Sequence, residues 1–169
     1  MHGLRLFAIM GALVACGQSE LDLQAALDEV VREISGEFDE VPRISTGDLD
    51  AWLGDASRRD PLLLDVREPE EFALSHLSGA IRVDPDATAE SLKPRLKDAE
   101  AIVVYCSVGH RSSVLAQRLI DAGWSDVKNL EGSIFQWANE GRAMVDAAGE
   151  PTRRVHPYNE RYGRLLKKK

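Results

Sequence analysis

The chain has 169 residues, a formal net charge of -7, and 44% hydrophobic and 29% charged residues. That is enough for one ordinary domain with a sizeable core, in the composition range of soluble globular proteins. The acidic balance argues against a nucleic-acid binder, since basic patches drive that association; any small-anion site must be local, built from backbone amides and a few cations.

In chain order, "MHGLRLFAIMGALVAC" sets Arg5 beside the terminal amine, ahead of a short apolar stretch from Leu6 to Ala15. A spanning helix needs about 20 apolar residues, so residues 1–15 read as a secretory signal peptide. The stretch closes on "LVAC", residues 13–16, which resembles a bacterial lipobox. That resemblance implies cleavage before Cys16 and lipid on its sulfur and new amine. The product is an exported lipoprotein on the cell membrane or outer membrane, facing the periplasm or the cell exterior. A first buried helix or a plain signal peptide are the alternatives. With lipid on Cys16, Cys106 is the only free thiol, and no disulfide can form within the chain.

Leu23, Ala26, Leu27, Val30, Val31 and Ile34 recur at helical spacing over residues 21–38, closed by Gly36 and Pro42. Residues 16–41 therefore read as a lipidated cysteine, a polar tether and an amphipathic helix, either packed on the domain or spacing it from the membrane. "ISTGDLDAWL" opens the main domain, with Ser45 and Asp48 spaced as a capping box. "PLLLDV" (61–66), "GAIRV" (79–83), "AIVVY" (101–105) and "VKNLEGS" (127–133) read as strands or a strand and turn. Between them lie helical segments: one after Pro69, one at 88–97 that Pro94 interrupts or ends, one from about Arg111 to Ala122, and one at 134–141. Residues 142–169 are a less regular C-terminal extension wrapping the domain. Alternation of strands and helices predicts an α/β fold with a mostly parallel sheet, whose ligands bind beyond the carboxyl ends of the strands. Cys106 follows a strand directly and sits at that edge.

In "CSVGHR" a strand delivers a thiol and a helix starts about five residues later. The backbone between them can curl its N–H groups inward, Gly109 permits the curl, the helix adds its positive end, and Arg111 adds a cation. Together they favour thiolate over thiol and would hold an anion beside the sulfur. A buried structural cysteine is the plainer alternative.

"LLLDVREPEEFALSHLSGAIRV" and "IVVYCSVGHRSSVLAQRLIDAGWSDVKNLEGSIFQW", with "RISTGDLDAWL", resemble the rhodanese superfamily over residues 42–141. The resemblance implies a three-layer α/β fold, a central mostly parallel sheet flanked by helices. It implies Cys106 as catalytic residue and an active-site, anion-binding loop of Ser107, Val108, Gly109, His110 and Arg111. Family sulfurtransferases carry a six-residue loop; the related phosphatases and arsenate reductases carry C-x5-R. Here Cys106 to Arg111 is C-x4-R, which points to sulfur. The implied reaction moves a sulfane sulfur from a donor such as thiosulfate, or another small sulfur-containing anion or persulfide, to a thiol or cyanide through a persulfide on Cys106. It needs no metal or organic cofactor. A non-catalytic binding module is the alternative, then a phosphatase or arsenate reductase.

Asp65 and Arg67, in "DVRE", read as support for the loop, paired as buried charges usually are. His76 matches a motif position with an architectural role. His110 faces solvent or the pocket mouth, Ser112 and Ser113 cap the helix, and Trp52, Trp124 and Trp137 pack. His156, Tyr158 and Tyr162 lie outside the family-like segment, where they could edge the pocket or contact a partner; packing against the domain is the simplest expectation.

Overall fold

The computed structural model describes residues 6–167, with side-chain surroundings from residue 20 onward. Residues 1–5 of the expected signal peptide, and the side chains of the rest of it and of Cys16, therefore lie outside the described residues.

A 32-residue helix, α1 (Leu6–Glu37), comes first. It starts earlier than the apolar spacing predicts, because no proline stops helix propagation between Leu6 and Phe38. Among the described residues, no helix is long and apolar enough to cross a membrane. Then follow β1 (Arg43–Ile44), α2 (Thr46–Leu53), β2 (Leu62–Asp65), α3 (Pro69–Leu74), β3 (Ile81–Arg82) and α4 (Ala89–Leu96). The chain continues through β4 (Ile102–Tyr105), α5 (His110–Asp121), β5 (Val127–Leu130) and α6 (Ser133–Asn139). A hairpin, β6 (Met144–Val145) with β7 (Pro151–Thr152), and the short α7 (Glu160–Gly163) complete it.

Five strands form one sheet in the order β1-β5-β4-β2-β3, and every neighbouring pair is parallel. The sheet is buried on both faces, as parallel sheets must be. On one face Leu63, Val103, Tyr105 and Leu130 pack with Leu27 and Ile34 of α1, Leu49 of α2, and Ile134, Phe135 and Trp137 of α6. On the other, Leu64, Ile102 and Val104 pack with Leu92 and Leu96 of α4 and Leu115 and Leu119 of α5. This is the three-layer α/β architecture.

Local chemistry sets the helix ends. Ser45 caps α2 by accepting from the Asp48 N–H at 3.0 Å. Pro69 opens α3, where Glu68 and Glu71 form a reciprocal capping box. At Gly123 (φ 95°) the amide reaches the Ile120 carbonyl at 2.9 Å and closes α5. Pro94 does not end α4: burial of Leu92 and Leu96 carries the helix through it to Leu96. The two strands of the β6–β7 hairpin are too short to show any alternation in sequence, and β6 is joined to the domain by His76 through a bridge to Val145.

Candidate active site

β4 ends at Tyr105, level with Asp65 of β2, and Cys106 leaves the sheet at its carboxyl edge. Two elements hold the loop that follows. The first amides of α6 reach back: Ile134 N–H to the Cys106 carbonyl at 3.2 Å and Phe135 N–H to the Ser107 carbonyl at 3.1 Å. Ser133, with a positive φ of 51°, turns the chain into α6 and accepts from the Cys106 N–H at 3.2 Å. The other holding element is β5: Asn129 donates through Nδ2 to the Gly109 carbonyl at 3.2 Å and to Ser113 Oγ at 2.8 Å.

Gly109 caps α5 with φ 119°, where a Cβ would be strained and would sit 3.3 Å from Asn129 Nδ2. This turn aims the Gly109 N–H at Cys106 Sγ, 3.2 Å away. The 12-residue helix α5 begins at the next residue, so its positive end stands behind that amide. Cys106 is only 2% exposed. Ser112 does not cap this helix as expected; its hydroxyl donates to the Gly109 carbonyl at 3.1 Å.

Arg111 stands near the sulfur, but its charge is already partnered. Nη1 and Nη2 donate to the two carboxylate oxygens of Glu71 at 2.8 and 2.9 Å, and Nη2 also reaches Ser107 Oγ at 3.0 Å. Burial disfavours the Arg111 charge, yet the bonds to Glu71 and the electrostatic interaction with Cys106 outweigh it, and its pKa lies above the ordinary value. Burial pushes Glu71 up as well, but Arg111 and the Glu68 N–H overcome this and hold it below the usual carboxylate range. Glu71 is a site residue that sequence reasoning missed, as are Asn129 and Ser133, which hold the loop. In "EPEE" Glu71 is one of three glutamates, and its spacing marks only a helix start.

Asp65 and Arg67 are fully buried and paired at 2.7 Å, outside the pocket. Arg67 Nη2 donates to the Ser75 carbonyl at 2.5 Å, and Arg82 Nε to the Arg67 carbonyl at 2.9 Å. The pair thus braces the strand end next to β4. His76 stacks on Phe72 at 3.8 Å and is not among the residues lining the Cys106 pocket. His110 is half exposed, faces Glu37 at 3.5 Å and meets Phe38 edge-on at 5.4 Å, so the end of α1 abuts the loop.

Cys106, Ser107, Val108, His110 and Arg111 line a pocket of about 250 Å³. Tyr158, Asn159 and Tyr162 complete its wall, so the extension edges the site as well as packing on the domain. No group of side chains is placed to hold a metal ion among the described residues.

A thiol at the carboxyl edge of a parallel sheet, inside a loop closed by a helix start, is a family arrangement. The Rhodanese-like domain family matches residues 45–140. The chain belongs to the rhodanese family. Its relatives carry sulfurtransferase names. A "Thiosulfate sulfurtransferase GlpE" from Pseudomonas fluorescens is 33% identical over 90 residues, 53% of this chain and 81% of that protein. A "Sulfurtransferase" from Allochromatium vinosum is 32% identical, covering 56% of this chain and 87% of its own. An "Adenylyltransferase and sulfurtransferase" from Meyerozyma guilliermondii is 27% identical over 80% of this chain, which spans only 34% of that relative's length. In fold, the chain is similar to a thiosulfate sulfurtransferase from Pseudomonas aeruginosa, with a TM-score of 0.61 at 21% identity over 80% of this chain and 25% of that one. A Bacillus halodurans protein superposes with a TM-score of 0.60 at 20% identity, over 82% and 98% of the two chains.

Proposed function

We propose that this rhodanese protein is a sulfurtransferase that carries sulfane sulfur on Cys106, at the cell envelope. The Cys106 thiolate attacks the outer sulfur of a donor such as thiosulfate. The donor's S–S bond breaks, sulfite leaves with its electron pair, and a persulfide stays on Cys106. A thiol or cyanide acceptor then takes the outer sulfur, and the Cys106 thiolate is regenerated. Ser107, Val108, Gly109, His110 and Arg111 shape the anion-binding loop, and Asp65 and Arg67 support it from the neighbouring strand.

The observation that carries this reading is the Gly109 N–H, 3.2 Å from Cys106 Sγ at the start of α5. A fixed donor and a helix end favour negative charge on the sulfur and on a persulfide built from it. The commitment of Arg111 to Glu71 and Ser107 opposes the phosphatase alternative, which needs that guanidinium for phosphate oxygens. Export and attachment through a lipid on Cys16 belong to the same proposal and rest on the N-terminal sequence.

Single turnover of the full chain with thiosulfate tests the chemistry. The expected result is stoichiometric sulfite and one added sulfur atom by intact mass, both lost in Cys106→Ser. Absence of sulfur loading from thiosulfate and from a hydropersulfide would leave a binding module as the reading.

A further inference from the structure

Residues 156–163 lie beyond the family-matched segment, which ends at residue 140, yet they supply Tyr158, Asn159 and Tyr162 to the pocket. The segment is built in at both ends. Upstream, the β6–β7 hairpin is joined to the domain at His76. Downstream, Asn139 donates to the Leu165 carbonyl at 2.7 Å and accepts from the Lys167 N–H at 2.9 Å, and Leu165 is buried.

Between these anchors Tyr158 takes a positive φ of 61°, a conformation bulky residues rarely adopt. It is held there by its own N–H donating to His156 Nδ1 at 3.1 Å and by the Asn159 N–H donating to the Pro157 carbonyl at 2.7 Å. The outcome is a tyrosine 47% exposed to solvent, with the Arg111 guanidinium 4.8 Å from its ring centroid. Tyr162 stands edge-on to it at 5.8 Å. A strained backbone that presents an exposed aromatic at a pocket mouth is the kind of feature that persists at functional sites.

Size and charge indicate what the wall receives. A pocket of about 250 Å³ has the volume of about eight water molecules at ~30 Å³ each, more than the few atoms of thiosulfate fill. Among the described residues that line the pocket, the permanent cation is Arg111, and it is paired with Glu71, so a dianion gains little there.

We propose that residues 156–163 are the specificity wall of the site. They admit a low-molecular-weight organic hydropersulfide, its carbon part lying against the rings of Tyr158 and Tyr162. The proposal rests on the persulfide reading of Cys106. In the step, the Cys106 thiolate attacks the outer, SH-bearing sulfur of the donor. The donor's S–S bond breaks, its inner sulfur leaves as a thiolate with the bonding pair, and the proton stays on the sulfur now bound to Cys106. No oxidant or reductant is consumed.

The test compares cysteine hydropersulfide with thiosulfate as donors to the full chain. The wild type is expected to show the higher kcat/KM with the hydropersulfide. Tyr158→Gly with Tyr162→Ala lowers that preference about tenfold, the scale of one aromatic contact; glycine at 158 suits the backbone and preserves the fold. Tyr158→Phe with Tyr162→Phe retains the rings and the preference. A preference unchanged by the Gly/Ala pair, or lost equally in the Phe pair, overturns the wall while sulfur loading of Cys106 still stands. Failure of both donors to load Cys106 in the wild type overturns the persulfide reading itself, and the wall with it.

Discussion

Glu71 is a charged side chain 1% exposed to solvent, held by Arg111, Ser107 and the Glu68 N–H. Its pairing shapes the loop and reduces the positive charge facing Cys106. Its folded pKa is depressed from the ordinary 4.5, which fixes the sign of a pH effect. A depressed carboxylate contributes stability that is complete above its unfolded pKa and is lost as pH falls through the lower folded value. The urea midpoint of the wild type therefore drops as the solution is acidified below that ordinary value. Glu71→Gln is expected to be less stable at neutral pH by about 2 kcal/mol, having left Arg111 with a weaker partner, and to lose less on acidification. An acid loss as steep as the wild type's would remove Glu71 as its source. Cys106 was legible in the sequence because its loop is contiguous and its C-x4-R spacing is specific. Glu71 lies 40 residues from Arg111 in sequence, and only the approach of α3 to α5 reveals the pairing.

Helix α1 was legible as an amphipathic element, but spacing alone left it free to pack or to stand off as a spacer. In the structure it packs: Leu27 and Ile34 enter the core, with Val30 and Val31 against it, and Gln24 bonds Gln136 of α6 at 2.9 Å. Leu27→Ala is expected to cost about 2–5 kcal/mol in urea unfolding, the range for a core leucine. A loss below about 0.5 kcal/mol, as at a surface position, would return the helix to the role of spacer. Elements with a buried apolar period, such as β2, β4 and α5, were readable. Of the two-residue strands, β3 was read within "GAIRV"; β1, β6 and β7 were not, because strands that short have no period of their own: β1 exists by pairing with the distant β5, and β6 and β7 by pairing with each other.

At the scale of the whole molecule, charge divides along the chain. Residues 142–169 carry eight Lys and Arg against three Asp and Glu in a protein of net charge -7. This extension closes the candidate pocket and buries Met144 and Leu165, so it completes the domain. At the opposite terminus, the proposed anchor makes a direct prediction. Produced in a bacterium from its own N-terminus, the protein is expected in the membrane fraction, with a mature N-terminal peptide that begins at Cys16 and carries acyl chains by mass. Cys16→Ser is expected to remove the acyl mass. A wild-type protein with an unmodified Cys16 would overturn the anchor.

The sequence by itself determined the α/β class, the order of the long elements, the family resemblance and the position of Cys106. These are written in local periodicity, turn residues and one contiguous loop. The tertiary structure alone decided that Arg111 is spent on Glu71, that α1 belongs to the core, and that Tyr158 and Tyr162 of the extension wall the pocket. Each of these joins residues far apart in the chain. Pairing of distant charges and packing of distant faces follow from how the helices settle on the sheet, which no local pattern encodes.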